Sequence, residues 1–116
     1  MGSIGLIWRG EVYVVDLGIP VGHEPARLRP GLVVSADLIN NGHGELVGIV
    51  PITSTRYGLR SHIELGPGTT GLDHESYARC DQVRMISTQR LSARRGRVAT
   101  DELHAIERAL RFVFDL

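Results

Sequence analysis

The chain has 116 residues, a formal net charge of zero, one cysteine and no lysine. That length can bury a hydrophobic core without staples and reads as one domain over residues 1–116. A lone cysteine allows no internal disulfide, no stretch reaches transmembrane length, and zero net charge removes any whole-molecule attraction to nucleic acid. Met1–Trp8 lacks the basic start of a signal peptide, and Leu6 breaks the myristoylation pattern. Those features point to a cytoplasmic protein. Every basic residue other than the histidines is Arg, which suits phosphate recognition but follows more readily from the codon usage of a GC-rich genome. Only the placement of particular arginines is informative.

Trp8–Leu17 is rich in β-branched and aromatic residues and reads as a first strand. Gly18–Arg29 carries two Gly and two Pro and reads as a loop. Leu32–Ser35 follows as a strand with Pro30 at its entrance, and Asn40–Gly44 is a turn signal. Leu46–Thr53 is a third strand. The loop Ser54–Ser61 places Arg56 and Arg60 around Tyr57.

His62–Leu65 alternates as a fourth strand, Gly66–Gly71 is a turn cluster, and Ser76–Ser87 reads as one continuous fifth strand. Thr88–Leu91 suits a single helical turn, and Arg94–Arg97 leads into a short strand at Val98. A C-terminal helix begins at Thr100 as N-cap, with Asp101 and Glu102 at its positive end. Leu103, Ile106, Ala109, Leu110, Val113 and Phe114 form one apolar stripe along it. Short strands, Gly-rich turns and one closing helix predict a mainly β fold, a small and strongly bent antiparallel barrel.

Five residues stand out chemically, each with an ordinary alternative. Arg29 precedes Pro30, which confines its backbone, so its guanidinium could hold a phosphate; a surface ion pair with Glu24 is the commoner fate of such an Arg. Thr53 ends a strand with a stiff hydroxyl donor, though a strand-end Thr usually bonds a neighbouring carbonyl. Arg79 and Asp81 are two apart, and in a continuous strand they share a face as an ion pair or as a couple that keeps Asp ionised to accept a proton. His23, in the first loop, titrates near neutrality with a reference pKa of about 6.5. No histidine has metal-ligand spacing to another His or Cys, and no metal is expected.

The order of these segments adds specificity. Arg9-Gly10-Glu11-Val12-Tyr13, then Gly22-His23-Glu24 with Arg29-Pro30 and Val33-Val34-Ser35, then Val50-Pro51-Ile52-Thr53, then Asp81-Gln82-Val83-Arg84-Met85-Ile86 resemble four ordered blocks of the MazF/PemK/Kid family of toxin endoribonucleases. The resemblance runs through nearly all of Trp8–Leu116. It implies an SH3-like barrel of the MazF/CcdB type, assembled as a homodimer. It implies metal-independent cleavage of single-stranded RNA (mRNA, rRNA or tRNA) by attack of the 2′-hydroxyl, with 2′,3′-cyclic phosphate and 5′-hydroxyl ends. It also implies a cognate MazE-like antitoxin.

Carried over, Arg29 and Thr53 fall on the family's most widely used catalytic pair, and Arg79, Asp81 and His23 on positions used by the Kid branch. Arg27, Arg56, Arg60, Gln82 and Arg84 become candidate RNA contacts. Arg stays protonated, with a pKa above about 12, so Arg29 is suited to electrostatic work rather than to general-base catalysis. The proton from the 2′-hydroxyl belongs to Asp81 or His23, and the leaving 5′-oxygen to Arg79 or His23. Two other readings compete. One is a gyrase-poisoning toxin of the CcdB type, which shares the fold and relies on a C-terminal Trp; here the only Trp is Trp8. The other is a degenerate member that only binds, against which Arg29, Thr53 and Asp81 all speak.

Overall fold

The computed structural model describes residues 5–24 and 27–116. Seven strands, β1 (Glu11–Asp16), β2 (Leu28–Val33), β3 (Leu46–Thr53), β4 (His62–Leu65), β5 (Ser76–Arg79), β6 (Arg84–Ser87) and β7 (Leu91–Arg97), join in one antiparallel sheet. Along the sheet the order is β4-β5-β3-β2-β1-β7, with β6 also pairing β3. The end strands β4 and β7 are not paired to each other among the described residues. The sheet is strongly bent without closing, so the expected barrel is open.

Period-two alternation splits the apolar side chains between two cores. Val12, Leu32, Val50, Ile52, Leu65 and Ala78 pack on one face with Ile106 and Ala109 of helix α2 (Thr100–Phe114). Tyr13, Val15, Val33, Val47, Ile49 and Ile86 make the second core on the opposite face, which α2 does not cover. The helix stripe follows the predicted spacing through Leu103, Leu110 and Val113, but Phe114 is more than half exposed.

Several boundaries differ from the sequence-based expectation. Pro30 lies inside β2, opposite Val14, rather than at a strand entrance; β2 pairs β3 only from Gly31 onward, so the missing N–H meets a partly open flank. The supposed fifth strand is two strands. The 3-10 turn Cys80–Gln82 separates β5 from β6, and both halves pair β3, Ala78 opposite Ile52 and Arg84 opposite Ile49. Cys80 is fully buried in the core beneath α2, and Pro51, which lies between the two paired stretches of β3, has no N–H to sustain a continuous ladder.

The arginine run is itself strand β7, and Val98 falls outside it. Ala99, not Thr100, is the helix N-cap; its N–H donates to Glu102 Oε1 at 2.9 Å. The other carboxylate oxygen of Glu102 accepts from Gly66 N–H, tying the turn after β4 to the helix. Asp37–Asn40 forms a short helix, α1, just before the expected turn.

The turn cluster at Gly66–Gly71 rests directly on β7. Arg97 N–H donates to the Thr69 carbonyl at 2.8 Å, and a Cβ on Gly96 would stand 2.1 Å from that same oxygen. Gly96 is therefore required by close backbone approach. This contact sets where Leu72, Asp73 and His74 come to lie.

Candidate active site

Strand register brings the functional side chains to one face. Thr53 of β3 is opposite Tyr77 of β5, and Tyr77 is opposite Glu64 of β4. One step along the same face, Arg79 is opposite His62. Gly31 pairs Pro51, so Arg29, two residues from Gly31, shares the face of Thr53, two residues from Pro51. All of these lie on the side of the sheet away from α2, since the alternate residues Ile52, Ile63, Leu65 and Ala78 belong to the core under the helix.

Along this face the predicted residues separate into two groups. Arg29 and Thr53 meet in a cleft of about 190 Å³ together with Ser54, Asp73, His74 and Arg95. Thr53 is buried, and its Oγ1 accepts the N–H of Thr55 at 3.2 Å while keeping its own proton to donate. Asp81 and Arg79 sit in a second group with His62 and Tyr57. The Asp81 carboxylate meets His62 Nε2 at 3.0 Å, the His62 and Tyr57 rings stand edge to face at 5.7 Å, and the Arg79 guanidinium lies 5.4 Å from the Tyr57 ring centre.

The expected sharing of a face by Arg79 and Asp81 does not hold. Asp81 lies in the 3-10 turn, where the two-residue period is lost, and its partner is His62 rather than Arg79. Arg79 Nη2 instead donates to the His23 carbonyl at 3.4 Å. That bond brings the exposed turn at His23 beside the second group.

Beside His62 a larger cleft, about 380 Å³, is lined by Arg56, Arg60, Glu64 and Tyr77. The Arg60 guanidinium lies 4.3 Å from the centre of the Phe112 ring. Gln82 ends the 3-10 turn, half-buried. Two other candidate RNA contacts are engaged elsewhere: Arg27 pairs with Asp16 at 3.3 Å, and Arg84 donates to the Leu17 carbonyl at 2.8 Å. The Asp16 carboxyl is held below its ordinary range, first by the Gly18 N–H and then by Arg27.

Among the described residues, three buried side-chain polar atoms lack any hydrogen-bond partner: Arg29 Nε, His62 Nδ1 and Arg79 Nε. Buried donors and acceptors are nearly always satisfied, and an unsatisfied one costs on the order of 1–3 kcal/mol. All three fall on this one face. Two guanidiniums and a hydroxyl carried on one face suit a group rich in anionic acceptor oxygens.

Sequence reasoning did not single out His62, His74, Tyr77 or Arg95. His62 lay in a visible alternating strand, but only the β4–β5 pairing shows that it faces Arg79. Cys80, beside Asp81, carries no reactivity: burial first, then the neighbouring carboxylate charge, pushes its thiol up to about 12.

A family model described as PemK-like, MazF-like toxin of type II toxin–antitoxin system matches residues 8–114. The chain belongs to this family. An Endoribonuclease MazF9 of Mycobacterium tuberculosis is 37% identical over 114 residues, covering 93% of this chain and 96% of the relative. Endoribonuclease EndoA of Bacillus subtilis is 27% identical, covering 91% and 92%. Among solved structures, a mycobacterial endoribonuclease in complex with its cognate antitoxin is 27% identical with a TM-score of 0.77, covering 95% of this chain and 96% of that one. A MazF from Deinococcus radiodurans superposes with a TM-score of 0.81 at 21% identity, covering 96% and 98%, and so shares the fold.

Proposed function

We propose that this chain is a toxin endoribonuclease that cleaves single-stranded RNA by transesterification, as a single domain acting in the cytoplasm and restrained by a cognate antitoxin. The observation that carries the reading is the cleft in which Arg29, with an unpaired Nε, meets the Thr53 hydroxyl. The names of the relatives, endoribonucleases in two bacterial genera and one solved with its antitoxin, support the same reading.

In this mechanism Arg29 and Thr53 hold the scissile phosphate and offset the charge that grows on its oxygens. Asp81 accepts the proton of the 2′-hydroxyl, the 2′-oxygen bonds to phosphorus, and the bond from phosphorus to the 5′-oxygen breaks. His23, whose carbonyl Arg79 holds, returns a proton to the leaving oxygen, and Arg79 counters its charge. The products are a 2′,3′-cyclic phosphate and a 5′-hydroxyl. Arg56 and Arg60 of the Ser54–Ser61 loop flank the larger cleft and would contact neighbouring nucleotides.

A second copy of the chain would pair with the first and extend the RNA groove. An extended acidic segment of the antitoxin suits the same arginines, so antitoxin and uncleavable RNA should displace each other.

The test is cleavage in EDTA. Single-stranded RNA should be cut, whereas duplex RNA and DNA stay intact. RNA with a 2′-deoxy sugar at the cut nucleotide should be inert, because the nucleophile is missing. Cleavage of the deoxy substrate, or a requirement for magnesium, would overturn the mechanism.

A further inference from the structure

Resting on the endoribonuclease reading, we infer that His62 is the positioning residue for Asp81: its Nε2–H fixes one carboxylate oxygen so that the other is presented to the RNA. Asp81 lies in a three-residue 3-10 turn whose N-cap offers no side-chain bond. Its one side-chain hydrogen bond among the described residues comes from His62, at 3.0 Å to Oδ1; Oδ2 makes none. Without that bond the carboxylate could rotate about its own side-chain torsions. A proton acceptor must be placed before its basicity matters.

The imidazole is well anchored for this task. Its side chain is 3% exposed, while that of Asp81 is 33% exposed. It stands edge to face with Tyr57 and opposite Arg79 in the strand pairing. An ionised carboxylate only accepts, so the hydrogen-bond pattern places a ring proton on Nε2. Nδ1 is buried without a partner. An apolar ring would fill the same space without burying an unsatisfied nitrogen, so what the imidazole adds here is its bond to Asp81. Burial also decides between two roles: the partly exposed carboxylate can reach a 2′-hydroxyl, whereas the enclosed Nδ1 cannot.

The experiment compares His62→Phe, which keeps an aromatic ring for the Tyr57 contact but has no donor, with His62→Gln, whose amide N–H can still donate to Asp81. The substrate is a long single-stranded transcript of mixed sequence, cleaved in EDTA by the full chain. His62→Phe should lose roughly tenfold or more in kcat with KM nearly unchanged, as loss of a hydrogen bond to a charged group does. His62→Gln should recover most of that loss. In an Asp81→Ala background, His62→Phe should cost nothing further.

Independently of activity, the ring-nitrogen NMR shifts of His62 should report Nε2–H in the unmodified protein and a mixed tautomer in Asp81→Ala. A Phe variant with unimpaired kcat, a Gln variant as slow as Phe, or equal losses with and without Asp81 would overturn the assignment. If His62→Phe does not fold, His62→Leu takes its place, and the Gln and NMR outcomes still decide. Failure of the unmodified protein to cleave RNA would instead remove the endoribonuclease reading itself.

Discussion

The Arg29 cleft and the His62–Asp81 group share one face of one sheet but are held differently. Arg29 is paired with Val15 of β1 and Thr53 with Tyr77 of β5, so paired backbone fixes both Cα positions, and one wall of their cleft comes from Leu72–His74, just after the turn that leans on β7. Asp81 sits where the strand breaks, and its orientation depends on a single side-chain bond from a neighbouring strand. The difference matches the two jobs proposed for them. Holding phosphate needs charge in a constant place, which sheet register supplies. Accepting a proton needs an oriented but accessible carboxylate, which a turn exposes and a buried partner steadies.

The largest expected effect breaks the wall of the first cleft. Gly96→Ala would push a methyl group against the Thr69 carbonyl, which has no flexible side chain to move aside. It should destabilise the fold by about 3 kcal/mol or more, visible as a lower urea midpoint, and should disturb the Arg29 side before the His62 side. A variant of unchanged midpoint would show that the turn is not braced on β7.

Next in size, Arg29→Ala should slow cleavage by about two to three decades with the fold intact, since a transition-state charge donor is removed. Arg29→Lys should remain badly impaired because the planar fork is lost. A lysine variant of near-normal rate would reduce the cleft to simple charge and erase its geometric contrast with the Asp81 group.

Thr53→Val tests the same cleft more gently. The shape is kept and the donor removed, so rates should fall by roughly tenfold, with circular dichroism unchanged. Equal rates for the two proteins would leave Arg29 as the only phosphate contact there.

The smallest effect concerns the foundations of each region. Burial raises Cys80, beneath Asp81, from 9.0 to about 12, and burial aided by Glu11 raises Tyr13, in the second core, from 10.0 to about 12. The unfolded chain releases these protons first, so it binds fewer protons than the folded state between about pH 9 and 12. Stability should be indifferent to both groups below pH 9 and decline as pH climbs toward 12, as denaturant titrations would record. Thiol reagents should label Cys80 only as fast as the turn opens. Rapid labelling at neutral pH would mean that the Asp81 turn is looser than its packing indicates.

Legibility in the sequence followed the same division. Leu46–Thr53 was readable to the residue because β-branched runs carry their own signal, and the helix stripe was visible because 3.6-residue spacing is local. The ordered blocks around Arg29, Thr53 and Asp81 carry the family likeness without any knowledge of strand pairing. By contrast, Ser76–Ser87 reads as one strand, because nothing local reveals that Cys80 is drawn under the helix. Pro30 read as a strand entrance, because only the neighbouring strands show which flank of β2 is open.

The sequence by itself determined the mainly β class, the C-terminal helix, the kinds of side chain available and the family to which they belong. These depend on local propensity and on the order of short motifs, both present in the unfolded chain. Tertiary structure alone decided that the sheet bends without closing, that Arg29 and Thr53 share a cleft, and that Asp81 answers to His62 rather than to Arg79. Each of those depends on strand register, and register is a property of pairs of segments distant in sequence.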